Sequence, residues 1–300
     1  MSALPDIDAL PALPPKRADW LFRIGLVIVI TVTILAAIGP YIGPYDPMLT
    51  TVRVAQSPPS LVEIPGLLTS WFAGTLPYPP HFMGTDVSGY DIFSRVIAAP
   101  RTDLVIALTA NFLSLAVGVF LGLIAGYFRN VATELLMRVS DVMQSFPVFI
   151  SAMVLVTLAG RSTSNIVIAL AFVYIPIYIR LTRAEVLSQK SRGFVEAARA
   201  MGNSEIAIAL RHVLPNSLTP ALIQSSVTIG FAILLTAGLS FVGAGVRPPT
   251  PEWGLMISTG ANTIILGEWW PSVFPGIAIS LTVFGFAVLG NALERRYEDG

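Results

Sequence analysis

TDLVIALTANFLSLAVGVFLGLIAGYF, residues 102–128, is the stretch whose reading decides the fold class. It holds one charged residue, Asp103, near its start, and it exceeds the roughly 20 apolar residues a helix needs to cross a bilayer. Lipid offers backbone N–H and C=O groups no partners, so the run satisfies them internally as a helix. Gly118, Gly122 and Gly126 recur every four residues within it and share one face. A neighbouring helix can approach closely along such a stripe, which reads first as a packing surface and second as a gate.

The rest of the chain repeats this composition. Of its 300 residues 54% are hydrophobic and 12% charged, and the mean hydropathy is +0.73. A soluble domain carries about 25% charge, so this is a membrane protein. Six spans are predicted: Trp20–Ile42, Thr102–Phe128, Glu134–Ala159, Asn165–Arg183, Ser217–Val246 and Pro271–Leu293. The fourth is the shortest, with Arg180 and Arg183 placed to snorkel toward headgroups. The first run is longer than the 7–15 apolar residues of a signal peptide, so it is read as a span rather than a cleaved leader. Cysteines are absent, which excludes disulfides, thiolate nucleophiles and cysteine metal sites. A net charge of +0 excludes a nucleic-acid partner, which would need a basic surface.

An even number of spans puts both termini on one side. Of the 18 Lys and Arg, 13 fall on the terminal side and only Arg53, Arg95, Arg101, Arg161 and Arg247 on the other. The termini are therefore predicted to be cytoplasmic. The chain divides into a cytoplasmic tail (1–19), the first span (20–42), an outward Pro-rich loop and amphipathic segment (43–101), and a core (102–300) that holds a cytoplasmic loop (184–216). The density of Pro44, Pro47, Pro58, Pro59, Pro65, Pro77, Pro79 and Pro80 opposes regular helix and predicts an extended, folded-back outward loop. Its aromatics, Trp71, Phe72, Tyr78 and Phe82, suit a membrane belt or a docking surface. Asp141, three residues after Arg138, is expected to pair with it on one helix face rather than to relay protons.

The cytoplasmic loop centres on GFVEAARAMGNSEIAIALRHVLPNSLTP, residues 193–220. A first short helix is predicted through Phe194, Glu196, Ala197, Ala198 and Ala200, closed by Gly202. Asn203 or Ser204 can cap a second, with Ile206, Leu210, Val213 and Leu214 as its apolar face and Pro215 as its end. The small alanines make the first helix slim enough for a groove on another protein.

Glu196-Ala197-Ala198, Gly202 four residues later and Leu214-Pro215 beyond resemble the EAA motif of ABC importer permeases. HFMGTDVSGYD, LGLIAGYF, GFVEAARAMG, RHVLPNSLTP and LSFVGAGVRPPTPEWGLM extend the resemblance, in order, to the C-type subunit of the dipeptide, oligopeptide and nickel permease family. Three positions depart from the family pattern: Tyr90 stands where Arg is usual, Asp103 where a small polar residue is, and Asn291 where an acid is.

The resemblance implies an all-α, type I ABC importer permease fold in a bacterial or archaeal cytoplasmic membrane. It further implies a homologous second permease, two ATP-binding cassette ATPase subunits or domains, and an extracytoplasmic solute-binding protein. Di- or oligopeptides are the expected cargo, with nickel complexes, opines, glutathione-like and cell-wall peptides as alternatives. Glu196, Ala197, Ala198, Gly202, Leu214 and Pro215 would form the coupling loop. This chain needs no cofactor of its own on this reading. A P-loop requires Gly-Lys-Ser/Thr, and Lys16 and Lys190 follow Pro15 and Gln189, so ATP and Mg belong to the partners. The hydroxyls of Thr228, Thr236 and Ser240 are candidates for the translocation path, although such groups commonly bond their own helix.

Two rivals fare less well. A gradient-driven transporter predicts inverted repeats and intramembrane charges, whereas this sequence offers no evident repeat and few buried charges. A membrane enzyme lacks a paired ligand motif, since His81 and His212 lie far apart.

Overall fold

A computed structural model describes residues 20–53 and 55–298. Lys16, Arg17 and the predicted tail lie outside them. Among the described residues the fold is all-α, with two isolated β-bridges and no named strand. Five helices are long and apolar enough to cross a membrane: α1 (Trp20–Ile42), α3 (Ile92–Tyr127), α6 (Thr163–Lys190), α10 (Thr219–Phe241) and α12 (Trp270–Glu298). A sixth span is formed by α4 (Val131–Ser145) and α5 (Val148–Ala159) if the bent pair is counted as one.

Several boundaries differ from expectation for identifiable reasons. The third span is not continuous: α4 and α5 meet at 94°. Pro147 disfavours helical geometry at the residue before it, and Phe146 is extended, with φ −92 and ψ 143. The fourth span is not short, since α6 runs for 28 residues and carries the expected loop residues 184–190 as helix. α3 begins ten residues before the expected start, so the boundary drawn at 101 falls inside it. Asp91 caps it by accepting from Ser94 N at 2.8 Å. Pro100 does not stop α3. The Val96 carbonyl that Pro100 cannot satisfy accepts instead from the Trp253 indole at 3.1 Å.

The loop after α1 folds back as expected, through bridges Thr50–Tyr90 and Thr85–Asp91. It also contains a helix that proline density argued against, α2 (Ile64–Phe72), in which Pro65 occupies the first turn where a missing N–H is harmless. Trp71 packs on Phe82 at 5.8 Å, and Phe82 on Phe93 of α3 at 6.1 Å, while Phe72 and Tyr78 stay exposed. A further helix, α11 (Trp253–Ala261), lies between the last two spans. Glu252 caps it, accepting from Gly254 N at 2.8 Å and Leu255 N at 2.7 Å, and Asp103 of α3, also buried, accepts from Trp253 N at 3.4 Å.

The main apolar cluster between the helices contains Ile106, Ala110, Ile166, Leu170, Ile233 and Leu239. The most extensive pairing is α3 with α6. Built on Gly118, a Cβ would sit 2.4 Å from Tyr178 Cβ; on Gly122, 2.8 Å from Ile179 O; on Gly126, 2.7 Å from Val186 Cγ1. The partners advance with the glycines, so the two helices run parallel, backbone against backbone.

Each end of this pair gathers other elements. At one end the Arg95 guanidinium, buried and 4.5 Å from the Tyr90 ring, donates to the carbonyls of Pro47 (2.9 Å), Pro249 (3.0 Å) and Thr250 (3.4 Å). It thereby fastens the loop after α1 and the α10–α11 connection to the start of α3. At the other end Lys190 Nζ donates to Tyr127 O at 2.6 Å and joins the C-termini of α3 and α6.

Gly118→Ala should force α3 and α6 apart and destabilise the chain by about 1–3 kcal/mol. Gly276→Ala in α12 meets nothing within 4 Å and should be neutral or gain about 0.5–1 kcal/mol. Thermal unfolding of the two variants in detergent checks the contrast.

Candidate functional site

Beyond α6 the chain turns at Ser191 and forms α7 (Gly193–Ala200). Asn203 Nδ2 donates to Ala198 O at 3.0 Å, and Gly202 makes the turn at φ +83. A Cβ on Gly202 would meet nothing within 4 Å, so the left-handed backbone, not lack of room, calls for glycine there. Ser204 caps α8 (Glu205–Ile208) by accepting from Ala207 N at 3.3 Å.

The second helix then departs from expectation. It widens into a π turn, Ala209–Val213, in which Leu214 N–H reaches the Ala209 carbonyl, and continues as α9 (Leu214–Ser217). Pro215 therefore does not end it. Pro215 sits in the first turn of α9, directly after the π turn, and the helical path continues through it.

That wide turn also corrects the apolar face, which had been read with 3.6 residues per turn. Ile208, Ala209 and Val213 point inward, with Leu214 half-buried beside them, whereas Ile206 and Leu210 are exposed. The inner side of the loop packs Val195, Ala198, Ile208, Ala209 and Val213 against Leu123, Tyr127 and Val186 on the ends of α3 and α6.

Of the predicted coupling residues, Glu196, Ala197, Gly202 and Pro215 are exposed, while Ala198 is buried in this inner cluster. The outer surface presents Phe194, Met201, Ile206 and Leu210, with Met201 75% exposed. The chain itself thus leaves these four apolar side chains of the loop uncovered.

The two loop helices are also tied by charge. Arg199 of α7 donates to both carboxylate oxygens of Glu205 of α8, at 2.7 and 3.2 Å, and the Tyr127 hydroxyl donates to the same carboxylate. Arg199 foremost, then Tyr127, lowers the Glu205 carboxyl to about 2, and the same carboxylate raises Arg199 further above its ordinary value.

The candidate path residues lie elsewhere and inside the chain. Thr228 accepts from Gln224 at 3.4 Å, Thr236 donates to Ala232 O at 2.8 Å, and Ser240 accepts from Val246 N at 3.3 Å. All three are buried. Asp141 pairs with Arg180 of α6 at 2.7 Å rather than with Arg138. No local spacing could have revealed that contact, or the one between Tyr127 and Glu205, because both are made by tertiary packing. His81 pairs with Asp91 at 2.8 Å and stacks on Tyr45, and among the described residues no cluster of three metal-ligating side chains occurs.

Residues 118–299, which include the whole loop, match the family described as binding-protein-dependent transport system inner membrane component. Residues 17–59 match the N-terminal TM domain of oligopeptide transport permease C. Among individual proteins, the chain is 36% identical over 270 residues to a di/tripeptide transport system permease of Pseudomonas aeruginosa, covering 90% of this chain and 85% of that one. It is 38% identical to a dipeptide transport system permease of Alkalihalophilus pseudofirmus, covering 94% and 87%. A glutathione transport system permease of Pectobacterium atrosepticum is 36% identical over 73% of this chain and 72% of its own length.

The lowered Glu205 carboxyl gives the loop a defined acid response. A depressed carboxylate contributes stability above its unfolded value, near 4.5, that disappears as pH falls through about 2. Amide exchange of α7 and α8, corrected for intrinsic rates, should therefore hold steady from neutral pH to about 4.5 and rise only modestly below it, because the half-exposed pair is screened by solvent. Loss of protection near pH 6 would contradict this assignment.

Proposed function

The chain belongs to the family of binding-protein-dependent transport system inner membrane components, and from that premise we propose how it works as the membrane-spanning subunit of an ATP-driven peptide importer. Its cargo is di- or oligopeptides, in keeping with the peptide permeases it is similar to. Glutathione is itself a tripeptide, so the similarity to a glutathione permease keeps a glutathione-like cargo as the second reading.

The observation that carries the coupling mechanism is the α7–α8 loop, whose outer face of Phe194, Met201, Ile206 and Leu210 is left apolar and uncovered. Such a face suits a groove on a partner, in the manner of an amphipathic helix. On this reading two ATPase subunits or domains dock the loop, with Glu196 and Ala197 at the contact and Gly202 setting the angle between the two helices. Ala198 serves from the inside, letting α7 lie close to the spans.

ATP hydrolysis belongs to those partners. Closure of the ATPase pair would move the loop as a rigid body and the span ends with it, and hydrolysis would reset it. Docking places the Tyr127–Lys190 end of the bundle at the cytoplasm, with both termini there and the loop after α1 outside, in line with the distribution of Lys and Arg. The outward loop faces the side from which a solute-binding protein delivers peptide, and a homologous second permease completes the route. Thr228, Thr236 and Ser240 would join that route only in a conformation that uncovers them.

Purification through a C-terminal tag, followed by peptide uptake in proteoliposomes, tests the reading. ATPases, a second permease and ATP-dependent uptake are expected, whereas uptake by this chain alone would overturn it. Gly202→Leu adds about 1–2 kcal/mol of left-handed strain. It should leave the chain in the membrane and lower uptake severalfold, and normal uptake would count against the coupling role of the turn.

A further inference from the structure

The loop is held to the spans in two different ways. Its inner apolar cluster gives adhesion, which is non-directional and tolerates sliding or rotation. Direction comes from a polar junction centred on Tyr127, the last residue of α3. The backbone carbonyl of Tyr127 is one of those that a helix leaves unsatisfied at its C-terminus, and Lys190 at the end of α6 fills it at 2.6 Å. The same ammonium lies 4.8 Å from the Tyr127 ring, and the ring itself is 2% exposed in the cluster. The hydroxyl reaches out of the cluster to Glu205, whose carboxylate also takes both donors of Arg199.

One carboxylate therefore joins α3, α7 and α8, and one tyrosine joins α3, α6 and the loop. Arg199 and Glu205 are each about half exposed, so their pair adds little to stability. Its consequence is geometric, because rotating the hairpin against α3 requires breaking the tyrosine hydrogen bond. Above this junction α3 and α6 are in backbone contact along Gly118, Gly122 and Gly126, so displacement of one carries the other.

We propose that the Tyr127 hydroxyl is a positioning group for transport: it fixes the angle of the α7–α8 hairpin to α3, so that a push on the loop moves the α3–α6 pair as one body. The inference rests on the coupling role proposed for the loop. Tyr127→Phe removes the hydroxyl while keeping the ring in its cluster and the carbonyl on Lys190. Glu205→Gln keeps an oxygen that can accept from the hydroxyl, whereas Glu205→Ala does not.

The test measures peptide transported per ATP hydrolysed by the assembled complex in proteoliposomes, together with the KM for peptide-loaded binding protein. Tyr127→Phe should lower the transport-to-ATP ratio by about fivefold, the lower end of ordinary coupling between sites, with KM unchanged. Glu205→Ala should match it, and Glu205→Gln should retain a higher ratio. A wild-type ratio in Tyr127→Phe overturns the proposal, as does a change confined to KM or a fall explained by less complex recovered from the membrane. Absence of ATP-dependent uptake by the wild-type complex would instead remove the functional reading and this inference with it.

Discussion

Backbone contact between α3 and α6 is the constraint on which the rest of the structure depends. Three glycines one turn apart leave no room for even a Cβ, and a stripe of that kind fixes both the register and the parallel course of the two helices. In lipid, apolar side chains gain little from leaving one hydrocarbon surface for another, so close van der Waals packing carries much of the association. With this pair fixed, its outer end collects the loop after α1 and the α10–α11 connection through Arg95. Its other end presents Leu123, Tyr127 and Val186 as the bed on which the loop of α7, α8 and α9 lies.

Function follows from what that bed does to the loop. An amphipathic hairpin free in solution would bury its apolar residues wherever it could. Here Ile208, Ala209 and Val213 are taken up by the chain's own spans, and Phe194, Met201, Ile206 and Leu210 are left uncovered, as the proposed docking of a partner requires. The π turn before Pro215 makes this division possible, since it alters which residues face inward without interrupting the helical path. Gly202 then sets the angle between the two loop helices through a left-handed turn that other residues adopt only with strain.

Much of this was legible in the residues and the rest was not, for physical reasons. Apolar runs revealed the spans because bilayer thickness demands length, and the Gly118–Gly126 stripe announced the contact it makes. The ends of spans were less legible. The start of α3 lies ten residues before the expected Thr102, and the carbonyl that Pro100 leaves unpaired inside it is taken by Trp253, a partner 153 residues away whose approach no local pattern encodes. Pro147, by contrast, acts locally and bends the third span. In the loop, spacing identified the two helices, the glycine turn and the Ser204 cap. It placed Val213 and Leu214 on the inward face correctly but set Ile206 and Leu210 beside them, where the loop instead buries Ile208 and Ala209. The pairs Asp141–Arg180 and Tyr127–Glu205 join distant elements and leave no trace in spacing.

The central claim is that the loop and the α3–α6 pair move together. Absence of native cysteines lets spin labels be placed at will, one at exposed Val105 on the outer part of α3 and one at exposed Arg192 where the loop begins. About 33 Å of helix separates Val105 from the loop end of α3, a span suited to dipolar distance measurement. Recorded in the assembled transporter with and without trapped ATP, a single narrow distance distribution that keeps its position is the predicted result. A shift of several ångströms between the two states would mean that the loop swings independently of α3, and would contradict the account.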